Sequence, residues 1–200
     1  MKTAIIGWGS LLWDDRPQFD QHHGAWYFDG PLLQLEFSRI SISRQRALTL
    51  VLEEEHGAQC RVAYTISKRE TPALAIQDLQ IRENATLAEV GVYQPHAIAN
   101  DPSLPSIPPA IVEWADQTDF DAVIWTALPN NFRDLNERGE NFSPASAIAH
   151  IESLCEVGKW KAVEYVHRAP EFIRTPLRSE LESLDWFAQM WKDSQDLPKL

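Results

Sequence analysis

A chain of 200 residues with 29 acidic and 18 basic side chains, a formal charge of −11, is long enough for a full hydrophobic core and acidic enough to disfavour a nucleic-acid partner. Its hydrophobic share of 44% and charged share of 24% are ordinary globular usage, which excludes extensive disorder. Cys60 and Cys155, the only cysteines, form neither a disulfide framework nor a metal-like spacing. No apolar leader precedes Gly7 and no run approaches the ~20 apolar residues of a membrane span, so a cytoplasmic protein is predicted.

The first apolar run, Thr3-Ala-Ile-Ile6, leads into Gly7-Trp-Gly-Ser-Leu11, the pattern of a buried strand feeding a tight loop. Residues 24–37 give two strand candidates divided by Gly30-Pro31. Leu48 to Leu52 and Arg61 to Ile66 read as strands joined in a hairpin across a polar segment containing Gly57. Thr71-Pro72 then supplies an N-cap residue and a first-turn proline. In that helix Ala75, Ile76, Leu79 and Glu83 share one face at 3.6-residue spacing.

Glu89 to Tyr93 is a further strand, and residues 95–109, with five of the thirteen prolines, read as a loop or lid. Phe120 to Leu128 returns to strand character. A helix is predicted from Ser143-Pro144 to a stop at Gly158, followed by helices over 159–168 and 176–192. Strands thus dominate the first two-thirds and helices the C-terminal third. Strand-to-strand connections without helices predict an α+β protein with a mixed or antiparallel sheet, either open or closed into a barrel.

The Gly7–Leu11 loop admits several chemistries. A dinucleotide fingerprint needs a third glycine where Leu12 stands, and a nucleophile elbow around Ser10 needs glycines where Trp8 and Leu12 stand. What remains open is a glycine-hinged turn aiming backbone N–H groups at an anion, or a plain tight turn anchored by Trp8 and Trp13. Glu83 is likewise open. It is either a helix-end carboxylate paired with Arg82, or a partly desolvated carboxylate poised as a base. The six histidines show no zinc spacing, and His22 and His23 read as solvated loop residues. Asp14 and Asp15 read as a loop-surface pair rather than a catalytic one.

Four segments, in order, resemble the γ-glutamylcyclotransferase-like superfamily, and within it the ChaC-type branch of glutathione breakdown. Gly7-Trp-Gly-Ser-Leu-Leu-Trp13 is similar to the family's G-Y-G-S-L-I-W loop, and Arg61-Val-Ala-Tyr64 to its W-G-V-A-Y strand. Leu79-Gln-Ile-Arg-Glu83 matches L-D-x-R-E. Val123-Ile-Trp125, Asn141-Phe142 and the helix from Ser143 parallel its last strand, N-Y-L-G-P segment and closing helix. The family's tyrosine in the loop is Trp8 here, and Leu87 stands where the ChaC-type branch has the tyrosine of G-G-Y.

The resemblance implies a single domain over 1–200, built as a small mixed β-barrel with flanking helices, and no metal or organic cofactor. It implies that Glu83 is the catalytic acid/base and that Gly7, Trp8, Gly9, Ser10 and Leu11 bind a small-molecule γ-glutamyl substrate. The activity implied is release of 5-oxoproline from a γ-glutamyl amide or peptide. The alternative is a catalytically idle member of the fold that binds such ligands, or a protein. Leaving group and oligomeric state stay open.

Overall fold

The computed structural model describes residues 1–95 and 104–195, and is mixed α+β. In chain order its strands and helices are β1 (Thr3–Gly7), α1 (Pro17–Asp20), β2 (Leu32–Ser41), β3 (Ala47–Leu52), β4 (Ala58–Arg61), β5 (Ala63–Ile66) and α2 (Pro72–Glu83), then β6 (Val90–Tyr93), α3 (Pro109–Ala115), β7 (Ala122–Thr126), α4 (Pro144–Ser153), α5 (Glu156–Arg168), α6 (Pro176–Glu182) and α7 (Asp185–Gln195). Most of the expected 95–109 loop, residues 96–103, lies outside the described residues, and α3 begins at Pro109. None of the described helices is long and apolar enough to cross a membrane.

The chain divides into two compact units, Met1–Leu33 with Arg61–Leu128 and Gln34–Cys60 with Pro129–Leu200. The first holds a four-stranded sheet ordered β5-β1-β7-β6. β1 runs antiparallel to β5 and parallel to β7, so both of its edges are paired; all five of its residues are also buried, on both faces of the sheet. That double burial explains why the sequence there reads as a continuous apolar run instead of alternating. β6 pairs antiparallel with β7, with Gly91 opposite Trp125. A Cβ on Gly91 would lie 2.0 Å from the Trp125 ring, so the glycine makes room for an indole that is wholly buried.

The second unit holds the sheet β3-β2-β4 and the four helices α4–α7. β2 and β3 form the antiparallel pair, turning through Gln45 and Arg46, both at positive φ. α5 packs on β3 and on α7. Gly158 lies inside α5 and does not end the preceding helix. A Cβ there would come within 2.8 Å of the Gln45 carbonyl, so the glycine serves a close approach and not a C-cap. α4 stops earlier, at Ser153, where Leu154 turns extended.

Four further expectations need correction. The predicted hairpin between residues 48–52 and 61–66 is absent, because residues 63–66 form β5 and pair with β1 in the other sheet, while β2 stands between β3 and β4. The predicted helix over 176–192 is two helices, α6 ending at Glu182 and α7 starting at Asp185. The strands form two sheets and no closed barrel among the described residues. The outer edge of β5 is met by the chain ahead of β2, through bridges His23–Ser67 and Tyr27–Tyr64 and the bond from Gly30 N–H to Val62 O (3.1 Å). The stretch from residue 24 to Gly30 is expected to be a strand and instead meets β5 through isolated bridges and single bonds such as Gly24 N–H to Ile66 O (2.9 Å).

Polar groups buried in the second unit are tied to backbone. Glu36, fully buried, accepts the N–H groups of Phe37 (2.8 Å) and Leu177 (3.1 Å), holding the first turn of α6. Arg178 donates to the carbonyls of Pro170 (2.8 Å) and Ile173 (3.0 Å) and to Glu182 (2.8 Å). His167 of α5 stacks on Trp191 (4.5 Å) and Phe187 (4.9 Å), clasping α7.

Candidate functional site

β1 delivers Gly7 at its end, between β5 and β7, with the Trp26 ring over it. A Cβ on Gly7 would lie 2.6 Å from that ring, so only glycine fits beneath the indole. The chain then passes Trp8, in extended conformation, and closes into a single 3₁₀ turn over Gly9–Leu12. Gly9 enters it at φ +56°, a conformation that side chains resist. Ser10 O accepts the N–H groups of Asp14 (2.9 Å) and Trp13 (3.4 Å), which fixes the turn's exit. The tight loop read from the sequence is a hydrogen-bonded 3₁₀ turn, and Gly7, Trp8, Gly9, Ser10 and Leu11 are all buried. Leu11 joins Ile5, Phe19, Ala75, Leu79, Val90 and Ile124 in one apolar cluster, which seats α2 beside the turn.

α2 starts where Thr71-Pro72 predicts, although the Thr71 side chain makes no capping bond. Ala75 and Leu79 are fully buried, and Ile76 packs against the cluster from its rim. Asn84, at φ +51°, ends the helix, and the Ala85 N–H closes back on Gln80 O at 2.9 Å. Glu83 thus occupies the last helical position on the inward stripe, its side chain 17% exposed. A carboxylate at that end meets the unfavourable pole of the helix, whereas Arg82 beside it meets the favourable one.

Arg82 connects the two candidates. Its side chain is only 5% exposed. Nη2 donates to Ser10 O (3.0 Å) and Asp14 O (2.9 Å), and Nη1 lies 3.3 Å from Glu83 Oε1. The Asp14 carboxylate stands 3.8 Å from the same guanidinium and 3.1 Å from Arg16. Residues 72 positions apart are brought together by one planar cation, and Glu83 meets the Gly9–Leu12 turn through it. The pairing of Glu83 with Arg82 expected from the sequence is present. It occurs on a shielded side chain rather than a solvent-facing one.

Other sequence candidates fall as follows. His23 is not solvated: it is buried, its ring 4.9 Å from Phe19 and 5.3 Å from Trp26, with Nδ1 2.7 Å from Gly24 O. The bridge to Ser67 draws it under the sheet edge, a long-range contact that its polar sequence neighbours conceal. Asp15 is exposed, while Asp14 turns inward to the arginines, so the two do not act as a pair. Leu87 is 53% exposed in the 3₁₀ turn before β6, and the Tyr93 hydroxyl donates to Asp116 at 2.9 Å. A cavity of about 430 Å³ borders Arg82 on its α1 side, with Arg16, Phe19, Arg69, Asp78 and Ile81 among its walls. Neither Glu83 nor residues 7–11 line that cavity. Arg69 there is engaged with Asp78 through two 2.7 Å bonds.

The arrangement offers a shielded carboxylate for proton transfer, set beside a glycine-hinged backbone turn. Among the described residues no group of three or more His, Cys, Asp or Glu side chains is placed to hold a metal ion. Sequence reasoning took Arg82 only as a partner for Glu83 and missed its bonds to the turn. A cation in a helix's last turn is ordinary, so nothing local signalled that it reaches Ser10. No family model, no curated protein and no solved structure matches this chain.

Proposed function

We propose that the chain is a γ-glutamylcyclotransferase-type enzyme that releases 5-oxoproline from a γ-glutamyl amide or peptide. The observation that carries the reading is the contact of the Arg82-Glu83 helix end with the Gly9–Leu12 turn, two of the four segments that carry the resemblance.

In the reaction the substrate's α-amine attacks its own γ-carbonyl carbon. A C–N bond forms to close the five-membered lactam, and the bond to the departing amine breaks. The nucleophile is tethered to its target, so no covalent enzyme intermediate is needed. Glu83 takes the proton from the attacking amine and returns it to the leaving amine, so one carboxylate serves both steps. Backbone N–H groups of the Gly7–Leu11 segment hold the oxyanion or the substrate's α-carboxylate. A glycine turn suits both tasks because the absence of Cβ atoms lets a ligand approach the main chain.

A second reading is a catalytically idle member of the same fold. It is favoured by the ion pair between Glu83 and Arg82 and by Leu87, which offers no hydroxyl. The two are separated by incubating the protein with γ-glutamyl amides and peptides and reading 5-oxoproline by mass spectrometry. Product with the parent chain, lost in Glu83→Gln, supports the enzyme. Ligand binding without product supports the idle member, and neither product nor binding sinks both.

A further inference from the structure

We infer that Arg82 is the positioning residue of this site, setting where the Glu83 carboxylate stands relative to the Gly9–Leu12 turn. The inference rests on the reading just proposed for Glu83 and the turn. A guanidinium is a rigid plane with five N–H donors, so groups bonded to different edges of it are held at a fixed separation. Here Nη2 donates to Ser10 O in the turn and to Asp14 O just beyond it, and Nη1 holds Glu83 Oε1 by charge at 3.3 Å, without a hydrogen bond to that oxygen. With its side chain 5% exposed, the guanidinium is shielded from the water that weakens surface pairs.

The charges point the same way. Arg82 stands between two carboxylates, Asp14 at 3.8 Å and Glu83 at 3.3 Å, and Asp14 is also held by Arg16. Arg16 therefore supplies part of the charge that Asp14 requires, and Arg82 is left to orient Glu83. Ser10 O is bonded at the same time by the Trp13 and Asp14 amides, so the oxygen gripped by Arg82 is the one that closes the turn. Loss of the guanidinium would loosen the turn and the carboxylate together. Lysine cannot substitute, since its ammonium is a point charge without the fork.

Two measurements on Arg82→Gln and Arg82→Lys test this. The first is steady-state kinetics on a γ-glutamyl amide that the parent protein cyclises. Loss of charge-assisted bonds predicts a kcat lower by about 10–100-fold with KM changed by less than about threefold. Arg82→Lys should recover only part of that loss. The second is amide hydrogen exchange. In Arg82→Gln the Trp13 and Asp14 amides should exchange about tenfold faster or more, while Ile5 and Ile6 of β1 are unchanged. Parental kcat in a folded variant, a loss confined to KM, full recovery by lysine, or unaltered exchange in the turn would each overturn the inference. If Arg82→Gln does not fold, Arg82→Lys carries both measurements. Exchange needs no substrate, so a parent chain that forms no 5-oxoproline defeats the proposed reaction and leaves the clamp to be decided by exchange.

Discussion

Each compact unit shields a glutamate, and the two are held in different ways. Glu36, in the second unit, is closed in by the amides of Phe37 and Leu177 and by Thr175, all of which belong to the framework. Its carboxyl reads as a cross-link between β2 and the start of α6. Glu83, in the first unit, keeps 17% of its side chain exposed and is met by a guanidinium at the end of its own helix. Burial of an acid is therefore not in itself a sign of catalysis. The two differ in the nature of their partners, framework amides for Glu36 and a guanidinium for Glu83.

The widest separation between the two comes from the same isosteric change. Glu83→Gln should lower turnover on a verified substrate by about 10²–10⁴, with the melting temperature unchanged or slightly raised. Parental turnover in that variant would remove Glu83 from the reaction and erase the distinction drawn here.

The framework character of the second unit is probed next by Leu181→Asp. Leu177 and Leu181 lie fully buried on one face of α6. A lone charge at Leu181 should destabilise by roughly 3–5 kcal/mol and lower the melting temperature by about 10 °C. An unchanged melt would show that α6 is peripheral.

The pH dependence of stability gives two smaller effects of opposite sign. Burial pushes the His167 imidazole below its ordinary 6.5, and the nearby Arg178 acts in the same direction against Glu182. The neutral ring is then the stable form in the fold. Its contribution is complete above the unfolded value near 6.5 and is lost as pH falls through the folded value. His167→Phe should flatten the fall in urea midpoint on acidification, leaving the part owed to His150, which burial also lowers.

Glu36 works the other way. Burial raises its carboxyl above 4.5, more than Thr175 and the Leu177 and Phe37 amides pull it back. Its contribution is complete below 4.5 and is lost as pH rises through the folded value. Glu36→Gln should remove that slope while leaving 5-oxoproline formation untouched. A loss of activity in this variant would contradict its placement in the framework.

What could be read in advance follows a physical divide. The end of β1 at Gly7, the start of α2 at Pro72 and its inward stripe through Leu79 are local matters of pattern and capping, and all were legible. The central position of β2 was not, because sheet order depends on contacts between distant segments. Gly158 misled for a related reason. Nothing in its neighbours reveals that Gln45 passes within van der Waals distance. At the candidate site the carboxylate and the turn were both visible, yet the bonds from Arg82 to Ser10 and Asp14 were not. Those bonds exist only once the sheet and α2 have assembled around their shared apolar cluster.

The Gly91–Trp125 pair of β6 and β7 constrains how this sequence can drift over generations. The two positions are sterically coupled, since position 91 admits a side chain only after position 125 has given up its indole. A lineage that first enlarges residue 91 passes through an overpacked sheet, whereas one that first shrinks residue 125 passes through a cavity. Neither order of the two changes is neutral. Either first step costs stability, a void of the size of an indole or an overlap at 2.0 Å, so the two positions are expected to change together or not at all.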